Sequence, residues 1–318
     1  MKIGLLAVDS NYPNLALMKI SSWHKSKGDS VEWYNPFDQF DIVYMSKIFT
    51  FTPEYGQYMI NAREIRKGGT GYDIHSKLPY EIETSSPDYT IYPSINSKTA
   101  YGFLTRGCPN RCKWCVVPKK EGDIKPYNDV EAIATSGRNI LTLMDNNVLA
   151  SPHGIEQIKK IIQINEKRKA QKKPLIKVDF NQGLDARLVN EEIAELLAKL
   201  KWDKYIRFGC DTPKQIEECD KACELIDKYG YKGKYSFYCI LLDDFNEAFT
   251  RVNHWREKSR NRHFPYCQPY RDLNKTSHTI PQWQKDLAGW ADRKWTFRAC
   301  EFKDFEPRKG FFCKEYFM

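Results

Sequence analysis

The chain has 318 residues, with 50 Lys+Arg against 41 Asp+Glu, a formal charge of +9 and 41% hydrophobic residues. These values describe a globular protein that can bury a sizeable core, as one large domain or a large one with a small partner. The positive excess suits a polyanionic partner, nucleic acid included, without requiring one.

The opening "MKIGLLAVDSNYPN" holds only a short apolar run before it turns polar, so neither a signal peptide nor a membrane span is expected and the chain is placed in the cytoplasm. Ten cysteines in such a chain read as metal ligands, core residues or redox thiols rather than as a disulfide framework. "IGLLAV" predicts a buried strand, and "LALMKISSWHKSKG" a helix stopped at Gly28. "SVEWY" and "DIVYMSKIF" predict further strands, and "YGQYMINAREIRKGG" a second helix. Residues 1–75 therefore read as a small Rossmann-like α/β domain. Residues 76–100, rich in Pro, Ser and Thr and without periodicity, read as a linker.

From residue 101 a strand-then-helix rhythm sets in. "YGFLTRG", "NILTLMD", "IKVDFNQ", "YIRFGCD" and "YSFYCILL" begin strands near 101, 139, 176, 205 and 235, and "HFPYCQPY" is a weaker sixth. Their spacing fits successive βα units. Five or six units are too few for a closed eight-stranded barrel, so residues 101–270 read as a partial (β/α)6 barrel. The helix "HGIEQIKKIIQINEKRKAQKK" carries Ile155, Ile158, Ile161 and Ile162 on one face, and "NEEIAELLAKL" opens on an Asn190 cap with acidic first-turn residues. Residues 271–318 carry Trp283, Trp290, Trp295, Phe297, Phe302, Phe305, Phe311 and Phe312; they read as an aromatic closure, with base stacking as the alternative. The fold class is α/β.

After the first of these strands, "TRGCPNRCKWCVVPKKEG" (residues 105–122) crowds Cys108, Cys112 and Cys115 into one turn. Three thiolates at C-x3-C-x2-C can bind three irons of a [4Fe-4S] cubane from a single loop, leaving the fourth iron open to chelate a small molecule. Zinc would need a fourth ligand close in sequence, and His153 and Cys210 lie far off. Of the other seven cysteines, Cys219 and Cys223 share the apolar face of "PKQIEECDKACELIDKYG" with Ile216 and Ile226. Cys210 and Cys239 fall in predicted strands. Cys267, Cys300 and Cys313 match no compact cluster motif. No second cluster is expected.

"GCPNRCKWC", in this βα setting and with Trp114 before the last cysteine, resembles the signature of the radical S-adenosylmethionine (SAM) enzymes. The resemblance extends in weaker form over residues 100–270. It implies a radical SAM barrel with a [4Fe-4S] cluster on Cys108, Cys112 and Cys115 and S-adenosyl-L-methionine on the open iron. It also implies reductive cleavage of SAM to a 5'-deoxyadenosyl radical, and an electron donor such as flavodoxin or ferredoxin. It places cofactor-binding residues at strand ends: Asp145, Asn146 and Asn147 near the SAM amino group, Asn181 and Gln182 after the third strand, Asp211 at the ribose and Arg187 at the carboxylate. For each of these the competing role is an ordinary loop cap.

The same stretch looks much like that of the methylthiotransferases, but these carry a second cluster on N-terminal cysteines and residues 1–107 have none. The Rossmann-like start, "RKGGTGYD" and "SPDY" look instead like the cobalamin-dependent branch. Its D-x-H-x-x-G pattern is not met, since "DIHSKL" supplies Asp73 and His75 without the glycine; the expectation is a domain whose cobalamin role is lost or altered. The basic runs "NEKRKAQKK" and "HWREKSRNRH" read as solvated helix ends that complement the helix dipole, with phosphate tracking as the alternative. A different class of reading is a non-catalytic zinc or iron-sulfur protein that binds nucleic acid, which would need a complete fourth ligand and a continuous basic face. The substrate, product and pathway are not read from the residues.

Overall fold

The computed structural model describes residues 1–56, 59–95, 97–134, 137–272 and 279–318. The chain is mixed α/β with parallel sheets and divides into two compact units, the first spanning Met1–Ser97 and the second starting at Lys98.

In the first unit, β1 (Lys2–Ala7), β2 (Ser30–Trp33), β3 (Phe40–Ser46) and β4 (Ala62–Gly68) form one sheet in the order β2-β1-β3-β4, every pair parallel. Between β1 and β2 runs α1 (Leu15–Ser26), whose first turn is capped by Asn14 and after which Gly28 takes φ +83°. Leu17, Met18 and Ile20 on α1 bury against Ile3, Leu5, Ile42 and Tyr44 of the sheet. That is the arrangement the strand-helix-strand pattern leads one to expect.

The second helix expected over "YGQYMINAREIRKGG" does not form across its length. Gln57 and Tyr58 lie outside the described residues, and Ala62–Gly68 is strand β4, paired in parallel with β3 through Ile65 opposite Val43. The helical spacing of its apolar residues is overridden by tertiary pairing: Ile60 and Ile65 pack with Phe40, Val43 and Met45, while Arg63, Glu64 and Arg66 stay out on the sheet's edge.

The stretch 76–100 joins this unit in its greater part. A short helix α2 (Tyr80–Glu83) and a turn at Tyr89–Ile91 bury Ile82 and Ile91 in the first unit's core. Asp88 accepts from Ser21 Oγ and Lys25 Nζ at 2.7 Å each, and Lys19 reaches the Glu83 carboxylate at 3.0 Å. Its lack of periodicity reflects turns held by side chains. Asn96 lies outside the described residues. "DIHSKL" forms an exposed turn in which Asp73 Oδ1 accepts from the His75 N–H at 2.9 Å.

The second unit opens with β5 (Thr99–Gly102) and a two-residue strand β6 (Thr105–Arg106). After a turn of helix α3 (Val117–Lys120), β6 pairs antiparallel with β7 (Lys125–Pro126). A short helix α4 (Val130–Ile133) leads to β8 (Ile140–Leu143), α5 (Pro152–Ala170), β9 (Lys177–Phe180) and α6 (Glu191–Lys199). There follow β10 (Tyr205–Gly209), α7 (Lys214–Lys228), β11 (Lys234–Leu241), α8 (Phe245–Ser259) and β12 (His263–Pro269).

Two parallel sheets result, β5-β8-β9 and β10-β11-β12, with isolated parallel bridges from Val178 to Trp202 and from Leu184 to Phe208. The six strands predicted from residue 101 onward are thus present in chain order. Asn190 caps α6 as expected, accepting from the Ile193 N–H at 2.9 Å. Cys210, Cys219, Cys223, Cys239 and Cys267 are all buried, where burial pushes the Cys223, Cys239 and Cys267 thiols well up from their ordinary range.

The C-terminal segment packs α9 (Gln282–Ala291) against β12, followed by α10 (Lys294–Ala299). Trp290, Phe297 and Phe302 are buried together, whereas Trp295 stands 82% exposed. Within 271–318, residues 273–278 lie outside the described residues. No helix among the described residues is long and apolar enough to cross a membrane.

Candidate functional site

The cysteine turn is built at the C-terminal ends of the second unit's strands. Its base is the β6-β7 pair, and Gly107 enters it at φ +83°, where a Cβ would lie 2.2 Å from the Asp123 carbonyl oxygen. Only glycine meets both demands.

Glu121 gathers the turn. It accepts from Arg106 Nη2 at 2.7 Å, from the Gly107 N–H at 2.9 Å and from Asn146 Nδ2 at 2.9 Å. The Cys108 N–H donates to the Gly122 carbonyl at 3.1 Å, and the Arg111 guanidinium bonds both the Cys108 carbonyl, at 2.9 Å, and the Asp123 carboxylate. A one-turn bond from the Cys115 N–H to the Cys112 carbonyl brings those two residues round.

The strand-end residues fall into two groups. Asp145, buried after β8, is taken up by the chain below the turn: Oδ1 accepts from the Leu104 N–H, the Thr105 N–H and Thr105 Oγ1 at 3.0, 2.5 and 2.7 Å. Burial lifts its carboxyl to about 6 against the pull of these donors. Asn146 is spent on Glu121. Asn147 is buried and faces the cysteines, its Nδ2 3.8 Å from Cys108 Sγ and 3.2 Å from Asp185 Oδ2, while its Oδ1 finds no partner.

Asp185, in the loop after β9, also accepts from Asn110 of the cysteine turn at 3.0 Å and holds Arg187 by two bonds of 2.7 and 2.6 Å. Although burial opposes it, these partners, Arg187 first, hold the Asp185 carboxyl below its ordinary value. Asp211, after β10, accepts from the Ile240 N–H at 3.0 Å, and the Trp114 indole lies near enough to favour its charged form. Burial raises its carboxyl nonetheless. Gln182 stays exposed, its amide on the neighbouring Asn181 Oδ1.

Cys108, Cys112, Cys115, Trp114, Asn147, Arg187 and Asp211 are therefore brought together; Asp145 and Asn146 support the turn from beneath, and Gln182 stands apart. Asn110, Glu121 and Asp185 were not singled out from the sequence, although the Asp185-x-Arg187 spacing within "QGLDARL" was a usable signal for a carboxylate beside the arginine.

The electrostatics of the turn bear on what it can hold. The three thiols are free. Burial raises Cys112, and so do Asp211, Cys108 and Asp185, with Arg187 opposing; burial also raises Cys115, helped by Cys112, Cys108 and Asp211. For Cys112 and Cys115, both raised beside these carboxylates, a cationic group would favour the thiolate, as a thiolate-bound metal centre does. Among the described residues no three His, Cys, Asp or Glu side chains gather round a single metal ion. A cubane makes a different demand, because each thiolate takes an iron of its own. The donor set, the unsatisfied Asn147 acceptor and the glycine-bounded turn fit such a group.

No protein-family model matches the chain. Among curated proteins, the chain is similar to the tRNA-2-methylthio-N(6)-dimethylallyladenosine synthase of Pseudomonas fluorescens (strain Pf0-1), 34% identical over 84 residues that cover 23% of this chain and 19% of that protein. The chain thus spans about a fifth of the length of the curated relative it matches. This short likeness is to the group of enzymes that residues 105–122 resemble, and it lends loose support to the radical SAM superfamily.

Proposed function

We propose that the chain is a radical SAM enzyme whose second unit is a partial (β/α)6 barrel. The observation that carries the reading is the convergence of Cys108, Cys112 and Cys115 with Asn147, Arg187 and Asp211 at the C-terminal ends of parallel strands, where parallel α/β folds place their chemistry. In this reading the three cysteines hold a [4Fe-4S] cluster, and S-adenosyl-L-methionine binds beside it. With both bound, the chemistry they would supply is one-electron cleavage of the S–C5' bond of SAM to methionine and a 5'-deoxyadenosyl radical able to take a substrate hydrogen.

The chain's own residues do the orienting. Asn147 offers its unpaired Oδ1 to an ammonium group, Arg187 offers the guanidinium edge that Asp185 leaves free to a carboxylate, and Asp211 accepts a hydroxyl. Trp114, half-buried beside Asp211, favours that carboxylate's charged form. Asp145 and Glu121 hold the turn in register. Hydrogen abstraction would leave a substrate radical open to modification, methylation among the options with SAM as methyl donor, and a flavodoxin or ferredoxin would deliver the electron.

Reconstitution with iron and sulfide in the absence of oxygen tests the cluster. About four irons and four sulfides per chain, lost in the Cys108→Ala/Cys112→Ala/Cys115→Ala variant, support the reading. One tightly held zinc with no sulfide would contradict it.

A further inference from the structure

At the opposite end of the second unit's strands from the cysteine turn lies a basic, aromatic patch. Tyr205 opens β10, Lys234 opens β11 and Phe264 lies near the start of β12. The register pairs Tyr205 with Lys234, and the Tyr205 and Phe264 rings stand 6.2 Å apart on the same side of the sheet. From α10, Lys294 places its ammonium 4.1 Å from the Tyr205 ring centre and 5.2 Å from that of Phe264, and Arg298, one turn on, sits 4.9 Å from Phe264. Lys234 approaches the same phenylalanine at 5.9 Å. Between Lys294 and Arg298 in the chain, Trp295 projects with 82% of its surface exposed.

What these cations lack is counter-charge. Lys294 donates to the Tyr205 hydroxyl and Arg298 to the Arg260 carbonyl, and none of Lys234, Lys294 and Arg298 is paired with a carboxylate among the described residues. Their field is visible in Tyr205: burial alone would raise its phenol, yet the hydrogen bond from Lys294 and the charges of Lys294, Lys234 and Arg207 bring it below its ordinary value. The wider charge distribution agrees. Residues 1–97 hold 9 Lys+Arg against 11 Asp+Glu, so the whole positive excess of the chain belongs to residues 98–318.

We infer that Lys234, Lys294, Arg298 and Trp295 form a binding surface for single-stranded nucleic acid, separate from the cysteine site. The cations take successive phosphates and the exposed indole stacks on a base. Unpaired cations interleaved with a protruding flat ring are what a flexible strand with regularly spaced charges and aromatic bases requires. An anionic membrane surface needs no ring presented for stacking, and an acidic protein surface offers no base to stack on it. The inference is independent of the cluster reading.

The test is fluorescence polarisation of a 5'-labelled oligouridylate of about 20 nucleotides against the full chain, at salt from about 50 to about 200 mM. The Lys234→Gln/Lys294→Gln/Arg298→Gln variant is expected to bind at least about tenfold more weakly and to lower the slope of log K against log salt by about 2, for about three lost phosphate contacts. Lys234→Arg/Lys294→Arg/Arg298→Lys keeps both affinity and slope. Trp295→Ala weakens binding about tenfold and leaves the slope unchanged. If the glutamine variant melts early, the other two variants decide. Unchanged affinity and slope in the glutamine variant, or in Trp295→Ala unchanged affinity, would overturn the assignment. So would tighter binding to phosphatidylserine vesicles or to polyglutamate than to the oligonucleotide.

Discussion

Asp185 grips Arg187 through both carboxylate oxygens, at 2.7 and 2.6 Å, and its Oδ2 also accepts from Asn110 and Asn147 at 3.0 and 3.2 Å. One carboxylate in the loop after β9 thereby ties the cysteine turn and the end of β8 to the arginine offered to the ligand.

Asp185→Asn should therefore loosen three groups at once. Residues that orient ligating groups cost about 10- to 100-fold in affinity or activity when changed, and a loss of SAM affinity of that size is expected, measured by equilibrium dialysis on the reconstituted protein. Because partners hold the Asp185 carboxyl below its ordinary value, its stabilisation is fully present above the ordinary carboxylate range and lost as pH falls through the depressed pKa. The variant's stability should fall less than wild type's on acidification through that range, in urea titrations.

Asp145 gives the opposite sign. Burial raises its carboxyl from 3.8 to about 6, so the unfolded chain releases this proton first and the group's contribution to stability declines as pH rises from about 4 to about 6, then stays constant. Asp145→Asn should lose that pH dependence. Its amide oxygen can take the place of Oδ1 toward Leu104 and Thr105, so only the longer Leu104 contact to Oδ2 at 3.3 Å is lost, and the flattened profile is read in urea titrations between about pH 4 and 7.

Gly107→Ala probes the entry to the turn. Left-handed backbone at a non-glycine residue costs about 1–2 kcal/mol, and here the added Cβ also meets the Asp123 carbonyl oxygen at 2.2 Å. The fold of the strands should survive, as read by circular dichroism, while iron uptake on reconstitution fails.

His263 sits among Tyr235, Phe237 and Trp255, with its Nδ1 unpartnered. Burial lowers it from 6.5 to about 4, so the stability it gives is present above 6.5 and is lost as pH falls toward 4. His263→Phe should flatten the melting temperature across that window, by calorimetry.

Much of the second unit was legible because each strand is a short apolar run between polar turns, and because helices such as α6 carry their caps in the sequence. β4 was not legible. Its charged residues Arg63, Glu64 and Arg66 lie on an open sheet edge, and only pairing with β3 makes it a strand. At the site, cysteine spacing led to Cys108, Cys112 and Cys115, and the resemblance to the radical SAM signature led to Trp114, Asn147, Arg187 and Asp211. Asn110, Glu121 and Asp185 escaped notice because they act across loops distant in sequence, Asn110 to Asp185 being 75 residues. The same distance hides the unsatisfied Asn147 oxygen, which burial alone reveals.

The most direct test of the account is 5'-deoxyadenosine release from SAM under dithionite, without oxygen, by the iron-loaded chain beside a Cys112→Ala control. Release by the wild-type chain and none by the variant is expected. A wild-type chain that carries its cluster and binds SAM, yet releases no more 5'-deoxyadenosine than Cys112→Ala, would contradict it.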